Sequence, residues 1–555
     1  MAVNTMEKNG VKVVFGYPGA AIGSLIDRMS FSSIKHILTR NEQGAAHMAS
    51  GYARVTKTTG VCLATSGPGA TNLITGIATA YMDSIPMIVL TGQVTTNLVG
   101  KDAFQEVDIT GATLPFTKHS YLVKDVSQIQ RIIDEAFYIA STGRPGPVLI
   151  DFPMDILETE YDYPEKEQPI NLRGYKLPGK ANESQLKKVA DAIKKAKKPV
   201  ILAGGGIVIS DCVNEFRKFV TDTQIPVVST MMGIGNLPSD DKHYYGMIGS
   251  HGAKRANLIF NRSDVVIAMG SRLGDRSIAN AKGLSTANKV IHIDIDPAEI
   301  GKNIQPFIPV VGDISDVISQ LSPMLADYVA PAEWVKEADE LKERFTRVPS
   351  DEETGFVNPR YFLNVLAEKT NSDIIMTTEV GQNQLWSATQ FNVKHPRMFL
   401  TSGGFGTMGY GLPAAIGAAE AVKTGSAPKK PVIAIAGDGS FQMDMAELGT
   451  MCQHDIPVKM VIFKNDRLGM VNEHQYLKYH SNYQAVDLSG SPDFCKLADA
   501  YGIRNGRLSK NADCAAAIDE MMADDKSYML VIDVNPHEPT GESLNENKLT
   551  EKEAQ

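Results

Sequence analysis

Short, nearly uninterrupted apolar runs recur along the chain and alternate with stretches whose apolar positions fall at helical spacing. Residues 11–15, 61–64, 87–91 and 148–151 have the continuous apolar character of strands covered on both faces, and the helical patterns between them predict a doubly wound parallel sheet over residues 1–160. The polar, proline-bearing stretch "ETEYDYPEKEQPINLRGYKLPGK" reads as a linker. A helix over 183–197 leads into the strand "PVILAGGG", which opens a second α/β unit over 180–330. The charged stretch "PAEWVKEADELKERFTRVPSDEETG" predicts a surface helix and a second linker. A third unit spans 355–536, its helices beginning at Pro359 and its clearest strand at 431–436. The remaining 537–555 is a polar tail, expected to be disordered or a loosely docked lid. No fixed-period repeat is evident.

Composition narrows the class. A chain of 555 residues is too long for one core, and 47 glycines with 28 prolines at 43% apolar content suit many tight turns between buried elements. The formal charge is −9, with no basic block able to follow a phosphate backbone, which argues against nucleic-acid binding. The five cysteines, Cys62, Cys212, Cys452, Cys495 and Cys514, form no CxxC pair, so neither a disulfide framework nor a zinc ribbon is expected and a reducing compartment is. The start lacks a signal-peptide core and no apolar run is long enough to span a bilayer, giving the expectation of a soluble cytoplasmic protein without a membrane partner.

Three stretches carry candidate chemistry. The strand at 431–436 empties into Gly437-Asp438-Gly439, and Asn465 follows another apolar run 27 residues after Asp438. Two oxygen-bearing side chains at neighbouring strand ends, with the Arg467 carbonyl, suit Mg²⁺ holding phosphate oxygens; two ordinary turn residues are the alternative. Gly404-x-Gly406-x-x-Gly409 has the formal spacing of a dinucleotide fingerprint. No acid stands about twenty residues on at a strand end, so a close backbone approach by another ligand is expected instead of NAD. Glu42 follows the short strand "HILTR" at the mouth of a helix rich in small residues, where it either caps the helix or serves a ligand.

Together these pieces resemble the thiamine-diphosphate (ThDP) enzymes, in which GDG and a later Asn anchor Mg²⁺ and the diphosphate. "GYPGAAI", "NEQGAAHMASGYAR", "ATSGPGATNLITGIATAYMDSIPMIVLTGQV", "DAFQEVDITG", "GSRLGDR", "HIDIDPAEIGKN", "LTSGGFGTMGYGLPAA" and "RLGMVNEHQ" resemble, in order, acetohydroxyacid (acetolactate) synthase catalytic subunits. The resemblance implies three α/β domains of doubly wound parallel sheets: pyrimidine-binding, central FAD-type and diphosphate-binding. It also implies decarboxylation of pyruvate and transfer of the two-carbon unit to a second 2-oxoacid, in branched-chain amino-acid biosynthesis. Glu42 takes the place of the glutamate that hydrogen-bonds N1′ of the aminopyrimidine.

Implied cofactor contacts are Val380, Gly381, Gln382, Gly406, Gly437, Asp438, Gly439, Ser440, Asn465, Gly469 and Met470, with Met408 as the apolar wedge under the cofactor and Val471 in the same cavity. Implied metal ligands are Asp438, Asn465 and Arg467. For FAD, in a non-redox role, the matching positions are Gly204, Gly205, Gly206, Thr230, His251, Arg272, Asp275, Asp294 and Asp313. Arg276 matches the arginine that pairs with the carboxylate of the second substrate, a close surface pair with Asp275 being its bland reading. Phe104, Gln105 and Lys118 match the edge of the active site. A homodimer or dimer of dimers with shared sites is implied, and a small regulatory subunit is a further partner of such proteins.

The sequence departs from the family at His474, where a tryptophan favours 2-oxobutyrate, and at Ala20, Asn41, Asn383 and Ser250, where Gly, His, His and Met are usual. The alternatives are a catabolic acetolactate synthase, a pyruvate oxidase or decarboxylase, and, outside enzymes, a cofactor-binding regulatory paralogue.

Overall fold

A computed structural model describes residues 1–162, 170–278, 288–346 and 348–541. They form three parallel six-stranded sheets flanked by helices. The first holds β1 (Val13–Gly16), β2 (Lys35–Leu38), β3 (Gly60–Ala64), β4 (Met87–Gln93), β5 (His119–Leu122) and β6 (Pro147–Pro153). The central sheet holds β7 (Pro199–Ala203), β8 (Val227–Ser229), β9 (Tyr244–Met247), β10 (Val265–Met269), β11 (Lys289–Asp294) and β12 (Ile308–Val311). The third holds β13 (Ile375–Thr378), β14 (Phe399–Leu400), β15 (Val432–Gly437), β16 (Lys459–Lys464), β17 (Arg504–Leu508) and β18 (Tyr528–Asp533). The expected α/β class therefore stands. β3, β4, β7 and β10 are buried at every position, as expected of parallel strands covered by helices on both faces.

Strand order shows a relation that no sequence period exposed. The first sheet runs β2-β1-β3-β4-β6-β5 and the third β14-β13-β15-β16-β18-β17, the same topology twice; the central sheet runs β12-β11-β10-β7-β8-β9. Read from its own first strand, the central order is 3-2-1-4-5-6, the dinucleotide-binding arrangement. In such sheets ligands enter the crevice at the carboxyl ends of the strands where the order reverses, here between β1 and β3, β7 and β10, and β13 and β15.

The first and third domains are joined by helices Glu42–Thr56 and Gly411–Lys423 and share one apolar core. Two glycines set the approach: a β-carbon on Gly51 would fall 2.1 Å from the Ala414 carbonyl, and one on Gly417 would fall 1.9 Å from that of Met48. This register makes the helices antiparallel. Glu42 consequently lies about 18 Å along the axis from the level of Gly411, at 1.5 Å per residue.

The charged helix expected near 331–345 spans Ala332–Phe345 and is amphipathic. Trp334, 2% exposed, donates its indole N–H to the Pro199 carbonyl (2.8 Å), so this helix belongs to the central unit, which runs beyond residue 330. The first five residues of the polar tail are docked: Arg360 pairs with Glu538 (2.6 Å) and donates to the Pro539 and Gly541 carbonyls, while Trp386 Nε1 donates to Pro539 (3.1 Å). Residues 542–555 lie outside the described residues. Among the described residues no helix is long and apolar enough to cross a membrane.

Candidate active site

At the carboxyl edge of the third sheet, β15 and β16 are neighbours with Gly437 opposite Phe463, which sets Asp438 and Asn465 side by side. Asp438, 1% exposed, accepts the Asp466 N–H (2.7 Å) and the Gly439 N–H (3.0 Å). Burial pushes its carboxyl up to about 6. Asn465 accepts the Arg467 N–H (3.1 Å) through Oδ1 and donates Nδ2 to Gln382 Oε1 (3.2 Å). Gln382 follows Gly381, whose φ of +129° requires glycine at the turn after β13. A β-carbon on Gly469 would collide with the Gln382 side chain, and Ser440 Oγ bonds the Gly437 carbonyl (3.2 Å). Val380, Gly381, Gln382, Gly437, Asp438, Gly439, Ser440, Asn465, Arg467 and Gly469 thus converge on one strand-end crevice.

Gly406 and Gly409, both at positive φ, bracket half-buried Met408 on the loop leading into helix Gly411–Lys423. Sequence reasoning passed over the group that holds this loop. Glu379, 1% exposed, accepts the N–H groups of Gly409 (2.7 Å), Gly411 (2.8 Å) and Leu412 (3.3 Å). The available signal was a lone acid directly after a buried strand. The docked tail reaches the same crevice: Gln382 Nε2 donates to the Glu538 carbonyl (2.6 Å), and Thr540 bonds Glu473 and Met470 Sδ.

Glu42 occupies the corresponding edge of the first sheet. Asn41 caps its helix by accepting the Gln43 N–H (2.8 Å), so the helix cap is Asn41 and Glu42 is left to other contacts. Glu42 is 9% exposed and its Oε2 accepts from Asn72 (2.9 Å). A β-carbon on Gly69 would lie 3.3 Å from Oε1. Gln105, in left-handed backbone at φ +58°, rests against Gly67 on the same edge, and neighbouring Phe104 is 88% exposed. Lys118 is not brought to this group. It precedes β5 at the amino-terminal edge, where it donates to the carbonyls of Ile139 and Thr142 and to Tyr175 OH (3.0 Å), and burial lowers its pKa to about 8. The expectation that it borders the active site fails on that geometry.

A cavity of about 1270 Å³ opens where the three domains meet, larger than the ~300–1000 Å³ of an ordinary small-molecule pocket. It follows the central crevice: a β-carbon on Gly204 would fall 2.0 Å from the Gly270 carbonyl, across the β7/β10 reversal. Gly205, Gly206, Thr230, His251, Arg272, Asp275, Arg276 and Asp294 line it, as do Val380, Gly406, Met470 and His474 from the third domain. Burial raises the Asp294 pKa and lowers that of His251. Asp313 lies outside it, capping helix Ile314–Met324 through the Ser315 N–H (2.8 Å). Arg276 is exposed and stands 3.8 Å from Asp275, a pair too solvated to hold it firmly.

Models of the thiamine pyrophosphate enzymes match all three domains: the N-terminal TPP-binding domain at residues 1–112, the central domain at 186–321 and the C-terminal TPP-binding domain at 379–534. A probable acetolactate synthase large subunit of Methanocaldococcus jannaschii is 44% identical over 97% of this chain and 91% of its own. The chain belongs to the acetolactate synthase large-subunit family. The large subunit of isozyme 2 from Escherichia coli is 39% identical over 96% of this chain and 94% of its own, and that of Haemophilus influenzae 38% over 97% and 94%.

The donor set of this acetolactate synthase relative fits a magnesium diphosphate. Among the described residues no cluster of three or more His, Cys, Asp or Glu side chains could hold a metal alone. Asp438 and Asn465 would instead supply two positions of a shell completed by phosphate oxygens, a common arrangement for Mg²⁺. Asn383 ends beside Gly381 and Gly437 with its buried Oδ1 unpartnered among the described residues, a further polar group at that crevice. The reversal-point glycines and the size of the central cavity fit a dinucleotide such as FAD.

Proposed function

We propose that this chain is an acetolactate-forming carboligase, taking pyruvate as donor and a second 2-oxoacid as acceptor, and belonging to branched-chain amino-acid biosynthesis. The observation that carries this reading is the strand-end crevice of Gly381, Asp438 and Asn465 in a chain similar to acetolactate synthase large subunits over nearly its whole length.

Bound ThDP would supply a nucleophilic carbon and an electron sink for decarboxylation, which the side chains of this chain lack. Asp438, Asn465 and the Arg467 carbonyl would hold Mg²⁺ and with it the diphosphate. Gly381 and Gln382 bring backbone close to that group. Met408 and Met470 offer polarisable apolar surface under the rings. Glu42 shares a proton with N1′ of the aminopyrimidine, a general acid–base role served by its small residual exposure. The central cavity would hold FAD, in a role without a redox step. Arg276, free of firm partners, presents its guanidinium to the carboxylate of the second 2-oxoacid.

The site is proposed to form between two copies of the chain. Two observations support this: Glu42 and the Gly411 end of the diphosphate-side loop lie at opposite ends of the antiparallel helix pair, and the surface around Gln105 exposes Phe104 at 88% and Leu114 at 69%. A small regulatory subunit, implied by the naming of the relatives, is a further proposed partner. A cytoplasmic setting suits the five cysteines, all free thiols.

The test is product identity. Purified protein with ThDP, Mg²⁺, FAD and pyruvate is expected to release acetolactate; acetaldehyde or acetate alone would contradict the reading. His474 lines the cavity, exposed, with its ring 5.6 Å from Tyr479. It lacks the apolar face of a tryptophan. His474→Trp is expected to raise the ratio of acetohydroxybutyrate to acetolactate about tenfold when pyruvate and 2-oxobutyrate compete, within the ~1–3 kcal/mol that one added apolar contact supplies. An unchanged product ratio would remove His474 from substrate choice.

A further inference from the structure

We infer that Glu379 is a positioning residue of the active site, fixing the Met408 loop against the diphosphate-binding turn; the inference rests on the ThDP reading above. The backbone of Glu379 is itself fixed, its N–H donating to the Ile435 carbonyl of β15 (2.8 Å). Its carboxylate then spans to the next loop, Oε2 accepting from Gly409 and Oε1 from Gly411 and Leu412. One side chain therefore ties together three pieces of the crevice. It precedes Gly381-Gln382 by two residues, it hangs from the strand ending in Gly437-Asp438, and it grips the amides on the carboxyl side of Met408.

The fit is close. A β-carbon on Gly411 would fall 2.8 Å from the Glu379 nitrogen, so the loop reaches this depth only with glycine there. On its other side Gly409 is backed by Asp444, whose Oδ2 would be 2.6 Å from a β-carbon at that position. The loop is held between two buried acids. The three hydrogen bonds that the Glu379 side chain accepts all come from backbone amides, so it acts through the loop and is not a catalytic residue. Without it, Gly406 and Gly409, both at positive φ, would leave Met408 on a flexible segment.

Glu379→Gln keeps the shape but offers one acceptor oxygen in place of two and points N–H groups at amide donors. Trp386 lies four residues after Gln382 and is one of only two tryptophans, so its fluorescence is the probe used to follow ThDP·Mg²⁺ binding. Wild-type protein that binds ThDP establishes the reading on which this rests; wild-type protein that does not bind it would sink that reading itself. Given wild-type binding, Glu379→Gln is expected to weaken ThDP affinity about tenfold and to lower kcat roughly ten- to a hundredfold, the range set by leaving buried amide donors without an acceptor. KM for pyruvate and the apo-protein melting temperature are expected to stay close to wild type.

Because the effect passes through Met408, adding Glu379→Gln to Met408→Ala is expected to cost little beyond Met408→Ala alone. Should Glu379→Gln not fold, Glu379→Asp, which withdraws the carboxylate by one methylene, takes its place in the same cycle. Unchanged ThDP affinity and kcat, fully additive losses, or a large drop in apo stability with cofactor affinity intact would each overturn the inference.

Discussion

Glu42→Gln is expected to lower turnover by roughly a hundred- to ten-thousandfold, the contribution of a positioned acid–base group, with the fold intact. Asn41, through the Gln43 amide, and not Glu42, caps helix Glu42–Thr56, so the substitution removes no cap. The amide can still accept from Asn72 as Oε2 does now (2.9 Å). What it cannot do is take up and return a proton at N1′. ThDP binding is expected to remain within a fewfold of wild type, because the diphosphate is held by the third domain and the two effects separate. The check pairs a single-turnover rate with a tryptophan-quenching titration. A rate near wild type would contradict the mechanism assigned to Glu42.

Asp438→Asn is expected to separate function from apo stability. Losing even an outer-shell partner of a metal costs about 10–100-fold in affinity or activity, and Asp438 is proposed as a direct ligand, so the concentration of Mg²⁺ with ThDP needed for activity is expected to rise by more than about a hundredfold. In the metal-free protein Asp438 is 1% exposed and burial holds its carboxyl up at about 6. The sign follows from linkage: with the folded pKa above the unfolded one, keeping this group ionised above about pH 6 costs stability, and the neutral amide removes that cost. An amide NH₂ then faces the Asp466 or Gly439 N–H in place of an oxygen, which offsets that gain, so apo Asp438→Asn is expected to melt close to wild type at pH 7.5 while losing the stabilisation that ThDP and Mg²⁺ give the wild type. Calorimetry with and without the cofactor decides it. A variant whose midpoint still rises with ThDP and Mg²⁺ as in wild type would remove Asp438 from the metal.

Local chemistry was legible where it is written locally. The apolar run at 431–436 became β15 at Val432–Gly437, and Asp438 and Asn465 lie together because each directly follows one of two strands that pair as neighbours. The strand at 148–151 and the helix at 183–197 were likewise found with small shifts of their ends. Non-local arrangement was not legible. Lys118 was placed with the "DAFQE" edge by family resemblance, yet the segment through helix Ile109–Thr113 delivers it to the amino-terminal edge, where its N–H meets the Pro147 carbonyl. Asp313 stands at a strand end, as expected, but its carboxylate is spent on the Ser315 amide. Glu379 carried no motif, since its role depends on a loop thirty residues away. The repeated strand order of the first and third domains lies in pairing topology, which no residue period records.

The working site is proposed to take Glu42 from one chain and Asp438 from another, and mixing two inactive variants decides between this and a site within one chain. Glu42→Gln and Asp438→Asn proteins are unfolded together in equal amounts, refolded with ThDP, Mg²⁺ and FAD, and assayed for acetolactate from pyruvate beside each variant refolded alone. With a two-fold dimer and random pairing, each mixed dimer has one site with both groups intact, so the mixture is expected to recover about a quarter of wild-type activity. A mixture no more active than the better of the two variants, with mixed dimers present, would contradict the claim and place both residues in a site within a single chain.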